Sequence, residues 1–570
     1  MPTKKLHILI ILSFLLLSIF LTLGRVGTVF HSFALLTPDL GVYASFAAAQ
    51  DKPELFISDP FLSNEKNINS YNMVEVPLIK ALEKVFGNYG TACAFLLPFF
   101  IFIHFVGYYV LGISLFKNPW AGLLVSLLLS TPMLTAYDYW GLILDALPRF
   151  LYQGMIPFLL ALSIWHGHDL KWWPVILGGV GVLNYIHPLS TPPWTIAIML
   201  ALWVSVPKQG FWQKARMMGL AMLVLLLVLS PFILNYVRST IVETSNVIGY
   251  DETLAILHSR FSTMDNPNPF SALASFFVGR RGESFDLLWY LVWLLGIVGI
   301  VFGLIRRRNS EQHAHLRQIA AWIMGILIVG GFVPMVERIV FAYLKRIPPE
   351  FEILKTLRYL VPLILLSAFY ALWMAKDYLQ ERGILSATSS QYVFAAASLL
   401  LLFTWGISNQ VQYRDFRNIV KQNVSCWLRG NIVCPLPQLS MDFIDVLDAV
   451  REKTPVGSRI FSEGQEVAVR YYALRPLVFT YKDGAPLAYT DQKQLLVWSE
   501  QSEKMEELTR LRKFSFRRRA FVKGIVELAQ DTGSDYLVLQ EPYQADLYYP
   551  EQLSLVYTNA HYSLYKLNPQ

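Results

Sequence analysis

The sequence predicts a mainly α protein: a polytopic membrane helical bundle of about eleven spans, followed by a C-terminal extracytoplasmic α/β domain. Three observations carry this. Of 570 residues, 54% are hydrophobic and only 16% charged, more apolar residues than soluble domains need to fill their cores. Eleven mostly apolar runs lie near 7–24, 92–116, 120–136, 150–165, 172–187, 193–207, 217–237, 286–305, 319–337, 358–375 and 391–408, and about 20 such residues in a helix cross a bilayer. After residue 408 the long apolar runs give way to short β-branched and aromatic ones.

The first run follows Lys4 and Lys5, exceeds a usual signal-peptide core, and has no small-x-small site close behind it, so it reads as an uncleaved anchor. The runs 150–165 and 193–207 are short enough to be tilted or re-entrant. Orientation follows from the basic residues, because short cytoplasmic loops keep an excess of Lys and Arg. With the N-terminus inside, the inner connections hold Lys117, Lys171, Lys208, Lys214, Arg216, Arg306, Arg307, Arg308, Arg317, Lys376 and Arg382 besides the first two lysines. Four acids stand among them: Asp169, Glu311, Asp377 and Glu381. The loops 25–91, 238–285 and 338–357 and the tail from 409 are then on the outer face. These inner loops account for most of the net charge of +7, so no nucleic-acid partner is required.

The chain divides into a membrane part, 1–408, an outer linker, 409–440, and an outer α/β domain, 441–570. Cys93 lies in a span and reads as inert packing. Cys426 and Cys434, in NVSCWLRGNIVCPLP, lie in the outer tail, where an oxidising compartment allows a disulfide. Asn423 begins an N-V-S sequon. In the last part, FIDVLDAV has helical spacing at Phe443, Leu447 and Val450, whereas SRIF, PLVFTY, SDYLVLQ, LSLVYT and HYSLYKL read as strands. The stretches 493–512 and 517–530 read as helices. No GxGxxG, Walker lysine loop, HExxH or paired CxxC gives this part a chemistry of its own. The basic cluster KFSFRRR, Lys513 to Arg519, suits a lipid phosphate or anionic glycan and equally a solvated turn between two helices.

Charged residues are almost absent from the middles of the spans, and polar side chains collect at the outer ends. In LLTPDLGVYASFAAAQ, Thr37 is placed to cap a helix with Pro38 at its first position and Asp39 in its first turn, with Leu40, Tyr43 and Ala47 along one side. In PLIKALEKVFGN, Leu78, Leu82, Val85 and Phe86 form a stripe suited to the membrane surface. AYDYWGLILDALPRF places Asp138, Asp145 and Arg149 at the next outer end among Tyr137, Tyr139 and Trp140. His187 ends the fifth run and Arg358 opens the tenth. Each also has a plain structural reading: Asp39 as a first-turn helix acid, His187 as a satisfied core histidine, Arg358 as a snorkelling anchor, the aromatics as an interfacial belt.

An anchor span, a long first outer loop opening with Asp-x-x-x-Tyr-x-x-x-Ala and carrying a surface helix, acids in later outer loops and a C-terminal outer α/β domain together resemble the GT-C superfamily of polytopic membrane glycosyltransferases. LPRFLYQGMIPFLL and the RPLVFTYKDG region also resemble uncharacterised bacterial multi-pass proteins related to it. The resemblance implies a plasma-membrane enzyme of the cell envelope that moves a sugar from a polyprenyl-phosphate-linked donor to an acceptor hydroxyl on the outer face. Its partners would be that lipid-linked donor and the surrounding membrane lipids. It also implies that Asp39 matches the first-loop acid, which acts as base or helps hold a divalent metal, and that Asp138 or Asp145 matches the second acid. Arg149, His187 and Arg358 become candidates for the donor phosphate. Many members carry two adjacent acids, whereas Asp39 stands between Pro38 and Leu40. Two other functions fit the same pattern: a lipid or glycan transporter or flippase, which needs a continuous polar path through the spans, and a catalytically silent relative acting in assembly or binding.

Overall fold

Backbone N–H and C=O groups have no water to bond in a bilayer, so apolar runs there close their own hydrogen bonds as helices. The computed structural model of the chain describes residues 3–28, 35–69, 73–134, 139–238, 248–260, 270–271, 287–306, 311–345, 352–408, 410–431, 434, 437–512, 518–540 and 543–568. Its helices are, in order, α1 (Thr3–Thr28), α2 (Pro38–Asp51), α3 (Glu65–Asn69), α4 (Glu75–Phe86), α5 (Tyr89–Phe116), α6 (Pro119–Leu129), α7 (Pro148–His166), α8 (Trp173–Asn184), α9 (Thr191–Ser205), α10 (Phe211–Tyr236), α11 (Tyr250–Arg260), α12 (Leu287–Arg306), α13 (Glu311–Leu327), α14 (Val333–Leu344), α15 (Leu360–Glu381) and α16 (Ala387–Ser408). Five described helical stretches are long and apolar enough to cross a membrane: Lys4–Arg25, Tyr89–Phe116, Phe211–Tyr236, Gln312–Leu344 and Ile353–Glu381. The chain is a multi-pass integral membrane protein.

The run 120–136 is not one helix. α6 stops at Leu129, and the chain turns into a two-stranded hairpin, β1 (Met133–Leu134) pairing antiparallel with β2 (Tyr139–Trp140). Eleven helical residues rise only about 16 Å, half of a hydrocarbon core. α8, with 12 residues, and α9, with 15, are short as well.

Between α13 and α14 the helix widens into a π segment, Ile328–Phe332. A Cβ on Gly330 would come within 2.8 Å of Leu357 and 3.0 Å of Thr356, so the glycine lets this segment accept the 3-10 helix Ile353–Tyr359. That 3-10 helix runs straight into α15 and carries Lys355 and Arg358.

Beyond the bundle come α17 (Gln410–Leu428), α18 (Gln438–Lys453), β3 (Ile460–Ser462), α19 (Ala468–Tyr471), α20 (Gly484–Thr490), α21 (Gln492–Arg512), α22 (Arg518–Asp531), β4 (Tyr536–Gln540), β5 (Leu553–Thr558) and β6 (Tyr562–Leu567). The sheet order is β3-β4-β6-β5; β3 is parallel to β4 and the other pairs are antiparallel. α18 buries Phe443, Val446, Leu447 and Val450, the helical spacing expected from the sequence. PLVFTY is not a strand: it offers one bridge, Leu477 to Ile460, beside β3 and then turns away. The structure joins Cys426 and Cys434 in a disulfide with a Cα–Cα distance of 5.4 Å. Asn423 is buried, and its side-chain amide donates to the Phe20 carbonyl at 2.7 Å, so the sequon is occupied by packing and closed to a glycan. Of the basic cluster Lys513–Arg519, residues 513–517 lie outside the described residues, while the guanidinium groups of Arg518 and Arg519 lie over the rings of Tyr543 and Tyr548.

The first loop and the C-terminal region share one core. Ala44, Phe46 and Ala47 of α2 pack in the same buried cluster as Phe14 of α1, Leu97 of α5 and Val467, Val469 and Tyr471 near α19. A Cβ on Gly41 would already sit 3.1 Å from the Tyr471 ring, and the Tyr471 hydroxyl accepts a hydrogen bond from the Leu36 N–H at 2.9 Å. α4 turns Glu75, Val76 and Ile79 inward and leaves Leu78 and Val85 of its stripe exposed.

Candidate functional site

The start of α2 is built as its sequence predicts. Thr37 is the N-cap with extended backbone, its hydroxyl oxygen accepts from the Leu40 N–H at 3.4 Å, and Pro38 follows at the first helical position. The same Thr37 hydroxyl donates a short hydrogen bond to Asp145 Oδ2. The cap residue therefore fixes two acids at once, Asp39 through the helix and Asp145 through its own side chain.

The two carboxylates occupy opposite environments. The Asp39 side chain is 44% exposed, the Asp145 residue only 4%. Lys482 Nζ donates to Asp39 Oδ1 over a short distance, and an Arg149 guanidinium nitrogen lies 3.8 Å from Oδ2. Burial by itself raises the Asp39 carboxyl, but the charges of Lys482, Arg149 and Lys355 outweigh it and hold the group below its ordinary value. For Asp145, burial wins over Arg25, the Thr37 hydrogen bond and Arg149, and pushes the carboxyl up to about 6. Its Oδ1 is buried with no hydrogen-bond partner.

Arg149 is in the first turn of α7, directly after Pro148, and its charge is felt by Asp39 and Asp145 together. Lys355 reaches the same field from the 3-10 helix before α15, where it is also paired with Glu352. His187 and Arg358 form a neighbouring network. The His187 ring Nδ1 is 2.7 Å from the Ser190 hydroxyl, which shares a short hydrogen bond with the Tyr359 hydroxyl. The buried guanidinium of Arg358 lies against Tyr359, 3.5 Å from its hydroxyl. The partly buried cations around Asp39 are thus Lys482, Arg149 and Lys355, while the buried Arg358 has its guanidinium over the Tyr359 ring. Asp138 lies outside the described residues.

Two residues of the cluster have no local signal in the sequence. Lys482 is 443 residues from Asp39 and arrives on the loop before α20. Glu75, at the start of α4, is buried with neither carboxylate oxygen hydrogen-bonded. Burial first, and then the charge of Asp145, push it well above its ordinary value.

Beside Lys482, the chain makes a second contact of a different kind. Arg470 is 1% exposed and clamps two acids: its Nε and one terminal nitrogen bond Asp59 at 2.8 and 3.0 Å, and both terminal nitrogens bond Asp483 at 2.7 and 2.9 Å. Asp59, fully buried, also accepts from the N–H groups of Phe61, Leu62 and Leu477. All of its capacity is used, as a buried carboxylate requires.

The arrangement does not fit a divalent cation at Asp39. Its two oxygens face Lys482 and Arg149, and among the described residues no group of three or more His, Cys, Asp or Glu side chains is placed to hold a metal ion. What the cluster can do is receive an anion at the cations and a proton at a carboxylate.

No protein-family model matches the chain, and no curated protein matches it. Among solved structures, it is similar to ArnT from Cupriavidus metallidurans bound to undecaprenyl phosphate, with 13% identity, a TM-score of 0.46 and 100% of each chain covered. The apo structure of the same protein gives 12% identity, a TM-score of 0.45 and 100% of each chain.

Proposed function

We propose that this chain is a membrane glycosyltransferase that moves a sugar from a polyprenyl-phosphate-linked donor to an acceptor hydroxyl at the outer face of the membrane. The observation that carries this reading is the meeting of two acids and three partly buried cations, from four separate stretches of sequence, where the apolar helices α7 and α15 begin. A donor anchored by its lipid arrives from the bilayer side, and an acceptor from the water side. In the transfer, the acceptor oxygen bonds to the anomeric carbon and its proton passes to the Asp39 carboxylate. The bond from that carbon to the phosphate oxygen breaks, and its electron pair leaves with the lipid phosphate. Arg149 faces the phosphate, while His187 and Arg358 hold Tyr359 and the wall behind it. Asp145 keeps the Thr37 cap, and so the base, in place.

The test is transfer from polyprenyl-phosphate sugars in membranes carrying wild type or Asp39→Asn at equal expression. Wild-type transfer that falls roughly 100-fold or more in the variant supports the reading. Equal rates remove Asp39 from catalysis, and no transfer by the wild type with any donor favours the silent relative. The orientation has its own test. Glu503→Cys in the C-terminal region should react with an impermeant thiol reagent in intact cells; reaction only after permeabilisation overturns the outer placement.

A further inference from the structure

We propose that Lys482, supplied by the C-terminal region, forms with Arg149 the cradle for the donor's phosphate, and that Asp39 occupies this cradle as a stand-in anion until the phosphate displaces it. The proposal rests on the glycosyltransferase reading for the identity of the anion, and on geometry for the rest. Lys482 Nζ and the Arg149 guanidinium close on the two different oxygens of one carboxylate, one on each side. This is the way a pair of cations grips an oxyanion. Lys355 adds its field from a third element.

The exchange is open to solvent. Asp39 is 44% exposed at its side chain, Lys482 29% and Arg149 25%, so a competing anion can approach all three groups. It is also favourable in charge. Asp483, next to Lys482, is already taken by Arg470, and among the described residues Asp39 is the acid with which Lys482 pairs. The charges felt at Asp39 are those of Lys482, Arg149 and Lys355, and together they outweigh its burial. The source of the phosphate is argued from position: Arg149 opens α7, and the 3-10 helix bearing Lys355 leads into α15, so the cradle lies at the ends of two apolar helices. A phosphate carried on an apolar chain arrives there.

The exchange gives the base its timing. While Lys482 donates to Asp39 Oδ1 and the charge of Arg149 stands 3.8 Å from Oδ2, the carboxylate is a poor proton acceptor. Once they turn to the phosphate, the carboxylate is freed beside the donor. The donor phosphate is a diester with a single negative charge, and the departing monoester carries about −1.5 to −2. The same cradle therefore holds the leaving group more strongly than the donor, as transition-state stabilisation requires.

The test uses the full-length protein in detergent, with farnesyl phosphate as probe and farnesol and inorganic phosphate as controls. Lys482→Gln and Asp39→Asn remove the same ion pair, so any effect on folding has one direction for both, read by thermal unfolding. Their effects on the probe are opposite. Lys482→Gln should weaken farnesyl phosphate binding roughly 10-fold, whereas Asp39→Asn should tighten it about 3-fold by removing the competitor. Lys482→Arg should restore binding. No binding by the wild type, no loss in Lys482→Gln, or weaker binding in Asp39→Asn each overturns the exchange. Inorganic phosphate binding as tightly as the farnesyl compound overturns the lipid-linked assignment. Opposite shifts in a protein that transfers no sugar would retain the exchange and sink the glycosyltransferase reading, while transfer without opposite shifts would do the reverse.

Discussion

Two ion-pair networks tie the first loop to the same short stretch before α20, and they are built from consecutive residues, Lys482 and Asp483. Water separates their roles. The Asp59–Arg470–Asp483 network is closed, with every member buried and Asp59 also holding three backbone N–H groups. The Lys482–Asp39–Arg149 network is open at the carboxylate. An exposed pair of this kind is worth about 0–1 kcal/mol, so another anion can replace it, whereas a closed network admits no substitute. The same residue types make a strut in one place and a site in the other.

The largest expected effect breaks the strut. Arg470→Ala leaves two buried carboxylates without their cation and should cost about 3–5 kcal/mol of stability, seen as a large fall in the thermal midpoint of the detergent-solubilised protein. If the two networks were alike, Lys482→Ala would cost as much; the expectation is under about 1 kcal/mol. The next effect is on rate alone: Asp39→Asn should leave the midpoint nearly unchanged while transfer falls roughly 100-fold or more. Thr37→Val sharpens the contrast within the site, since it removes both the cap and the bond to Asp145. It should cost about 1 kcal/mol and lower transfer, because Asp39 is then less firmly aimed.

The smallest effect is in pH. Asp145 titrates at about 6 in the folded chain against an ordinary 3.8, so the native state binds its proton more tightly than the unfolded state does. Stability should therefore fall as pH rises from about 4 to about 6. Asp39, held below its ordinary value, contributes in the opposite sense, and only at lower pH. Asp145→Asn should flatten the slope by a few degrees in the thermal midpoint, and an unchanged slope would show that Asp145 is not the buried acid described.

Much of this was legible before the structure. Apolar length gives the helices, and Thr37, Pro38 and Asp39 announce the start of α2 because capping is local chemistry. The spacing of Phe443, Leu447 and Val450 gives the buried face of α18 for the same reason. Misreadings come where tertiary contacts decide. The run 120–136 is mostly apolar, yet its helix ends at Leu129, before Ser130, Thr131 and Pro132, and Met133–Leu134 pairs with Tyr139–Trp140, where Trp140 packs in the core and donates its ring N–H to the Leu129 carbonyl at 3.0 Å. PLVFTY has strand composition, but its backbone is spent holding Ile460 and the bend toward Lys482. Glu75 went unmarked because nothing in its neighbours says that α4 will roll it inward. Lys482 lies in the RPLVFTYKDG region that the resemblance marks, but nothing local points to its partner, which is in the first loop.

That separation has a consequence for how the protein is made. Asp39 is synthesised 443 residues ahead of Lys482, an interval of roughly 20 to 90 s at ordinary rates of translation of about 5–20 residues per second. Throughout it the first loop exists without its cation and without the Arg470 strut that steadies the neighbouring residue. On the reading proposed here, a nascent or truncated chain has an unfinished cradle. If that reading holds, competence for transfer comes only with the last fifth of the polypeptide, and the order of synthesis itself would keep incomplete molecules from consuming the carrier.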